Sequence, residues 1–344
     1  MPRTRLIRRR VRRPLLALFA AAALLLGAGL VPAGAAFAAP PSAPDEGGSK
    51  ELRAALEAAA KGHIEAKARL DNSKRRQAEL TAQFKQLEVR LVELNAQVGE
   101  VAAHSYRLGR LTAVSALLAS SDPNSFVQRA AELDVMAQRD SRRLRDLHEA
   151  KAEAARAKLA IDTEIREQQK QLAILAKKKR DAEVALAKVS SGSSSGFSGG
   201  SGSAKPAPRN SDGSWPSESC SVNDPTTSGC ITPRTLHMMQ QAKAAGYKRY
   251  VSCHRSGGGG EHPKGRACDF AAATGGFENV SATGGDKAYG DSLASYLKNN
   301  ASKLGVMYVI WYRQIWMPNT GWRSYSGGGS PAADHTNHVH VSMY

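Results

Sequence analysis

Between Leu52 and Val101 a fixed set of positions recurs at alternating steps of four and three: Leu52, Leu56, Ala59, His63, Ala66, Leu70, Ser73, Gln77, Leu80, Phe84, Leu87, Leu91, Leu94, Val98 and Val101. That spacing is the seam of a coiled coil. The positions from His63 to Gln77 are weak and the run from Leu80 to Val101 is unbroken, so the pattern predicts loose packing at the near end and firm packing toward the far end. Around Ser120-Ser121-Asp122-Pro123-Asn124-Ser125 the pattern stops, because Asp-Pro-Asn disfavours continued helix and supplies turn chemistry. A second seam follows through Leu144, Leu147, Lys151, Ala154, Lys158, Ile161, Ile165, Gln168, Leu172, Leu175, Lys179, Ala182, Leu186 and Val189. Residues 50–189 are therefore expected to form an antiparallel coiled-coil hairpin with an elbow near 118–126. Each arm holds about 60 residues and reaches on the order of 90 Å, the dimensions of a spacer or a lever.

The pattern changes on both sides of the hairpin. Residues 39–49 form a short linker, and 190–210 are so rich in Gly, Ser and Pro that they predict a flexible tether with little apolar surface to bury. Residues 211–344 mix strand and helix signals and read as the compact domain.

Composition supports this division. Of the 344 residues 42% are hydrophobic but only 6% aromatic, and much of the apolar count is alanine, which suits long helices better than a thick core. The net charge of +17 raises nucleic acid or an anionic polymer as partner. Yet seven arginines (Arg3, Arg5, Arg8, Arg9, Arg10, Arg12, Arg13) precede an apolar stretch from Leu15 to Val31 and the small-residue pattern Ala36-Phe37-Ala38. Residues 1–38 thus predict a cleaved secretory signal, with an uncleaved anchor as the alternative. The remaining charge forms no dense patch with interleaved aromatics, so no nucleic-acid partner is expected. All four cysteines, Cys220, Cys230, Cys253 and Cys268, fall in the last domain. An even number in an exported domain points to disulfides, of which four cysteines allow three connectivities.

Two segments of this domain carry candidate chemistry. Ser252-Cys253-His254-Arg255-Ser256 leads into four glycines and then into His262-Pro263-Lys264-Gly265-Arg266-Ala267-Cys268-Asp269; near the C-terminus stands His338-Val339-His340. Zinc takes imidazole nitrogens and a carboxylate oxygen, and a catalytic site uses three protein ligands with a position left open. His262, Asp269 and His340 supply that set. In a strand, His338 and His340 point to one face, so the first is placed to handle protons beside the second. Arg255 is placed to neutralise an oxyanion or a substrate carboxylate.

These segments resemble the LAS-type metallopeptidases, the group of D-alanyl-D-alanine dipeptidases and carboxypeptidases of the VanX/VanY kind and penicillin-insensitive murein endopeptidases. The resemblance covers residues 251–342. The group's Ser-Gly-Tyr-Arg-Ser is similar to 252–256, its His-x-x-Gly-x-Ala-x-Asp is matched by His262 to Asp269, and its His-x-His by His338 and His340. The resemblance implies zinc on His262, Asp269 and His340, Arg255 supporting transition-state charge, and peptidoglycan stem peptides or cross-links as substrate. VanX-like members carry a glutamate three residues before the last ligand, where this chain has Asn337; His338 then takes the base role, as in the endopeptidase branch, with Glu261, Asp334 and His335 as substitutes. Because the first two motifs must converge on one metal, the resemblance also favours Cys253 with Cys268, and hence Cys220 with Cys230.

The hairpin in turn resembles the coiled-coil halves of division-associated peptidoglycan hydrolases, which implies a membrane-bound division or regulatory complex as partner and release of autoinhibition. The expectation is a secreted, cell-wall-associated zinc peptidase: an α-helical coiled-coil hairpin followed by an α+β domain whose small antiparallel sheet carries the zinc. The alternative is a non-catalytic cell-wall-binding module on the same scaffold.

Overall fold

The computed structural model describes residues 49–109, 115, 117–119, 122–188, 192 and 194–344. The predicted signal segment 1–38, the short linker up to residue 48, and Ser120 and Ser121 of the predicted elbow lie outside these residues.

Helix α1 (Lys50–Leu108) starts at Ser49, whose hydroxyl accepts from the Leu52 amide at 3.2 Å. Helix α2 (Pro123–Ala187) starts one residue after Asp122, whose carboxylate accepts from the Ser125 amide at 3.1 Å. Asp-Pro-Asn is thus the start of the second helix, with proline at a first-turn position where its missing N–H costs nothing. The helix therefore begins well before the second seam, which first appears at Leu144.

The two helices pack along one another as a hairpin. Their packing is the reverse of the expected gradient. Leu52, Leu56, Ala59, Ala60, Ala66 and Leu70 are buried, whereas most seam positions from Leu80 to Val101 are only half-buried, Leu94 excepted. Two helices alone leave each other's flanks wet; near the base a third wall covers them. The weak seam positions there are tied by polar contacts: Ser73 Oγ donates to Glu164 Oε2 at 2.7 Å, and Gln168 Nε2 to Gln77 Oε1 at 2.7 Å.

The third wall is the C-terminal domain. It runs β1 (Val222–Asn223), β2 (Cys230–Ile231), α3 (Pro233–Ala244), β3 (Val251–Ser252), a 3-10 turn (His262–Lys264), β4 (Ala267–Ala271), α4 (Gly284–Asn299), α5 (Ala301–Leu304), β5 (Val306–Trp311), β6 (Gln314–Met317), β7 (Gly321–Ser324) and β8 (His338–Met343). Strands β1 and β2 form a small ribbon; the others form one antiparallel sheet of order β3-β4-β8-β5-β6-β7.

Alternation along the central strands assigns two faces. Val339, Val341, Met343, Phe270, Val309 and Trp311 join Leu293, Leu297 and Met238 in the core under helices α3 and α4. On the other face Met307, Tyr308, Ile310, Ile315 and Met317 pack against Leu52, Leu56, Ala59, Ala182 and Leu186 of the hairpin. At about 25 cal/mol per Å² of apolar area removed from water, such a contact holds the hairpin base down firmly. Tyr344 Oη donates to Glu65 Oε1 at 2.7 Å and Asn319 Nδ2 to the Lys178 carbonyl at 3.1 Å around its rim.

The Gly/Ser segment does not hang as a tether between the two parts. Gly200 N donates to Ser292 Oγ at 3.0 Å, Ala204 N to Asn300 Oδ1 at 2.8 Å and Ala207 N to the Lys303 carbonyl at 2.9 Å. At Gly200 (φ 46°) a Cβ would stand 2.3 Å from the Ser292 carbonyl oxygen. Glycine there permits backbone to lie on helix α4, a use that composition alone does not separate from flexibility.

Both disulfides, Cys220–Cys230 and Cys253–Cys268, are formed, and no free cysteine remains. They mark an extracytoplasmic protein. Among the described residues no helix is long and apolar enough to cross a membrane.

Candidate metal centre

Strands β4 and β8 bring the site together by register. Asp269 pairs with His340 and Ala271 with His338 across the ladder, so Asp269, His338 and His340 share the face that the hairpin base also approaches. His262 arrives from the 3-10 turn, whose exit is Gly265 in a left-handed conformation (φ 67°). A Cβ at Gly265 would meet the Cys230 carbonyl oxygen at 2.8 Å, so the motif glycine serves both the turn and a close approach. Asp224 anchors the start of the arginine motif. Burial pushes its carboxyl up, but the Thr226 and Thr227 hydroxyls, each donating at 2.6 Å, and the His254 and Thr226 amides at 2.7 and 2.8 Å outweigh this and hold it below the usual range.

His262, Asp269 and His340 offer ligand atoms that all lie within 4.8 Å of one another. His262 Nε2 is 3.2 Å from Asp269 Oδ2 and 3.2 Å from His340 Nδ1, and His340 Nδ1 is 2.8 Å from Asp269 Oδ1. Each imidazole is oriented by its other nitrogen: His262 Nδ1 meets the Cys253 carbonyl, and His340 Nε2 lies 2.8 Å from Ser342 Oγ. Assigning the protons to those outer contacts leaves two nitrogen lone pairs and a carboxylate converging on one point, an arrangement that could hold a cation. The donor set, two nitrogens and one oxygen, suits zinc with a fourth position open. The second metal-competent group among the described residues, Cys220, Cys230 and His254, has its two sulfurs in a disulfide.

The electrostatics follow from burial. Burial pushes the Asp269 carboxyl up, but the charges of His262 and His338 and hydrogen bonds from His262 and His340 reverse this and hold it well below the usual range. Burial likewise pulls His262 down, and Asp269 outweighs it, so the imidazole is raised. Asp269 thus draws positive charge onto His262, at the place where a bound metal ion would supply it.

His338 stands beside the triad. Its Nε2 is 3.6 Å from Asp269 Oδ1 and its Nδ1 is 2.7 Å from Asn337 Oδ1. Burial lowers it to about 4, so it is neutral at ordinary pH. Arg255 Nη1 donates to Asp269 Oδ2 at 3.3 Å. The five candidate site residues are therefore one cluster.

Of the three substitutes for the base, two turn elsewhere. Glu261 faces Lys264 (2.8 Å) and Arg266 (2.6 Å), and Asp334 accepts from Gly327 N, Gly329 N and Arg313 Nε. His335 remains, buried, at φ 52°, with its ring 4.8 Å from His338 and 5.5 Å from His340. His335 thus lies against two of the site imidazoles, in a backbone region that non-glycine residues seldom adopt. Phe277 is set edge-on to His338 at 5.8 Å and Tyr308 stacks on His340 at 5.7 Å. Neither belongs to a spacing motif; Tyr308 carries only a strand signal. Trp311 is wholly buried in the core, its indole donating to Asp291 at 2.9 Å, and is not available to a ligand.

Comparison with known families gives one match: a family model described as VldE, C-terminal domain, is similar to residues 227–336. That stretch contains Arg255, His262 and Asp269 and ends before His338. No curated protein matches the chain, and no solved structure does.

Proposed function

We propose that the protein is an exported zinc peptidase that hydrolyses an amide in peptidoglycan stem peptides or cross-links, its C-terminal domain resembling the LAS-type peptidases and its hairpin serving a membrane-bound regulatory complex. The observation that carries the proposal is the convergence of His262 Nε2, Asp269 and His340 Nδ1 with Arg255 and His338 alongside. The disulfides support residence outside the cytoplasm.

Zinc, when bound, polarises a carbonyl and acidifies water. The chain's own groups do the rest. His338, with its Nδ1 proton given to Asn337 Oδ1, presents an Nε2 lone pair that accepts a proton from attacking water and returns it to the leaving amine. Arg255 brings a guanidinium to the side of Asp269, where it offsets charge developing on the carbonyl oxygen. Phe277 and Tyr308 wall the imidazoles from bulk water.

A non-catalytic wall-binding module is the second reading. It is favoured by Asn337, which stands where a glutamate base would serve and whose Nδ2 is engaged by the Glu278 carbonyl at 2.6 Å.

The test uses the chain with its hairpin, since the sheet face beneath it is apolar. Zinc content is measured, defined muropeptides are incubated with and without chelator, and products are read by mass. One zinc per chain with chelator-sensitive release of D-alanine or splitting of a cross-link is expected, and the masses distinguish carboxypeptidase from endopeptidase action. Zinc without turnover favours the binding module; no zinc sinks the metal centre.

A further inference from the structure

We infer that the hairpin is part of the metal centre itself: Glu57 of helix α1 is a positioning residue that braces the turn carrying His262. Its carboxylate bridges two cations of that turn, with Oε2 3.0 Å from Lys264 Nζ and Oε1 3.1 Å from Arg266 Nη2. The same two cations grip Glu261 from the other side, Lys264 Nζ at 2.8 Å and Arg266 Nε at 2.6 Å. Glu261 is 1% exposed and immediately precedes His262; its carbonyl also accepts from the Lys264 and Arg266 amides at 3.2 and 2.9 Å. Two acids and two bases thus form a closed ring around a three-residue turn.

The consequence runs through geometry. A 3-10 turn of three residues has almost no helical hydrogen bonding of its own. His262 nevertheless has to hold its Nε2 within a few tenths of an ångström of a point fixed by β4 and β8. The ring supplies that constraint, and one of its four members comes from an element more than 200 residues away in sequence. Without Glu57, Lys264 and Arg266 are left competing for Glu261 alone, and the turn relaxes. Displacing the hairpin base therefore loosens His262 and weakens metal binding. The contacts of Glu65 with Tyr344 and of Lys178 with Asn319 fasten the same hairpin without touching this turn.

This inference rests on the metal-centre reading, and the experiment separates the two. In the full chain, Glu57→Gln is compared with Glu65→Gln, which likewise takes the charge from a hairpin carboxylate that meets the domain elsewhere. Zinc affinity is measured by competition with a chromophoric chelator, and amide hydrogen exchange over 261–266 is measured in the metal-free protein. Glu57→Gln is expected to weaken zinc about 10-fold or more, in the range typical of outer partners of a metal ligand, and to speed exchange over 261–266. Glu65→Gln is expected to change neither. Equal zinc affinity and equal exchange in Glu57→Gln and wild type overturn the inference, as does an equal effect of both variants, which would reduce Glu57 to general docking. If wild type binds no zinc, the metal centre fails, while faster exchange over 261–266 in Glu57→Gln alone would still support the brace.

Discussion

Asp269 and His340 sit directly opposite each other on β4 and β8, with Oδ1 2.8 Å from Nδ1. Opposed residues of an antiparallel ladder have Cβ atoms about 5 Å apart, so two candidate ligand side chains meet by backbone pairing alone. Only His262 depends on a loop.

Replacing Asp269 with Asn keeps the shape and removes the charge. Zinc affinity is expected to fall by more than roughly 100-fold, beyond the effect of an outer partner, with the far-ultraviolet spectrum of the domain unchanged. Equilibrium dialysis against buffered zinc measures this; retention of full affinity would count against Asp269 as a ligand.

His338 and His335 divide differently. His338→Ala is expected to lower kcat by about 10² to 10⁴ while leaving one zinc per chain. His335→Ala is expected to lower kcat less and to increase the mobility of the His338 ring, read from its imidazole resonances. A fall in zinc content instead would make either residue a ligand.

The carboxyl of Asp224 is held below its ordinary value by the hydrogen bonds that tie Thr226, Thr227 and His254 together. Such a group stabilises the fold above its unfolded pKa, about 3.9, and the contribution disappears as pH falls through the lower folded value. The stability difference between wild type and Asp224→Asn is therefore expected to be constant at neutral pH and to shrink below about pH 4. Urea unfolding at stepped pH measures it; a difference independent of pH down to 2 would contradict the assignment.

Removing residues 1–210 uncovers Met307, Ile310, Ile315 and Met317. The isolated domain is expected to bind hydrophobic dyes and to self-associate. Within the full chain, Leu56→Ala, at 3% exposure, is expected to cost about 2 to 5 kcal/mol where hairpin and domain unfold together. A monomeric, dye-silent isolated domain would mean that this face is stable in water.

The hairpin was legible because heptads repeat, and His262 and Asp269 because their motif is short and local. The cysteine pairing was implied by the family resemblance, and His340, 71 residues beyond Asp269, was tied to the first motif only by the chemistry of its side chain and by that resemblance. What the chain order hides is the meeting of distant surfaces. Leu56 and Ala182 read as seam positions, and nothing in a seam tells that a sheet will cover one end of it. Glu57 is one of many acids on a helix, and its role depends on Arg266, far away in sequence. The glycines of 196–202 illustrate a different limit, since the same residue permits both freedom and close contact.

The ladder of β4 and β8 has one more consequence. Side chains alternate along a strand, so a slip of one residue between these two would turn His338 and His340 into the apolar layer under α4 and send Val339 and Val341 to the opposite face. Correct register and assembly of the candidate site are thus a single event. Under the zinc reading proposed above, metal uptake would work as an inspection step, since a chain paired out of register has no site to load.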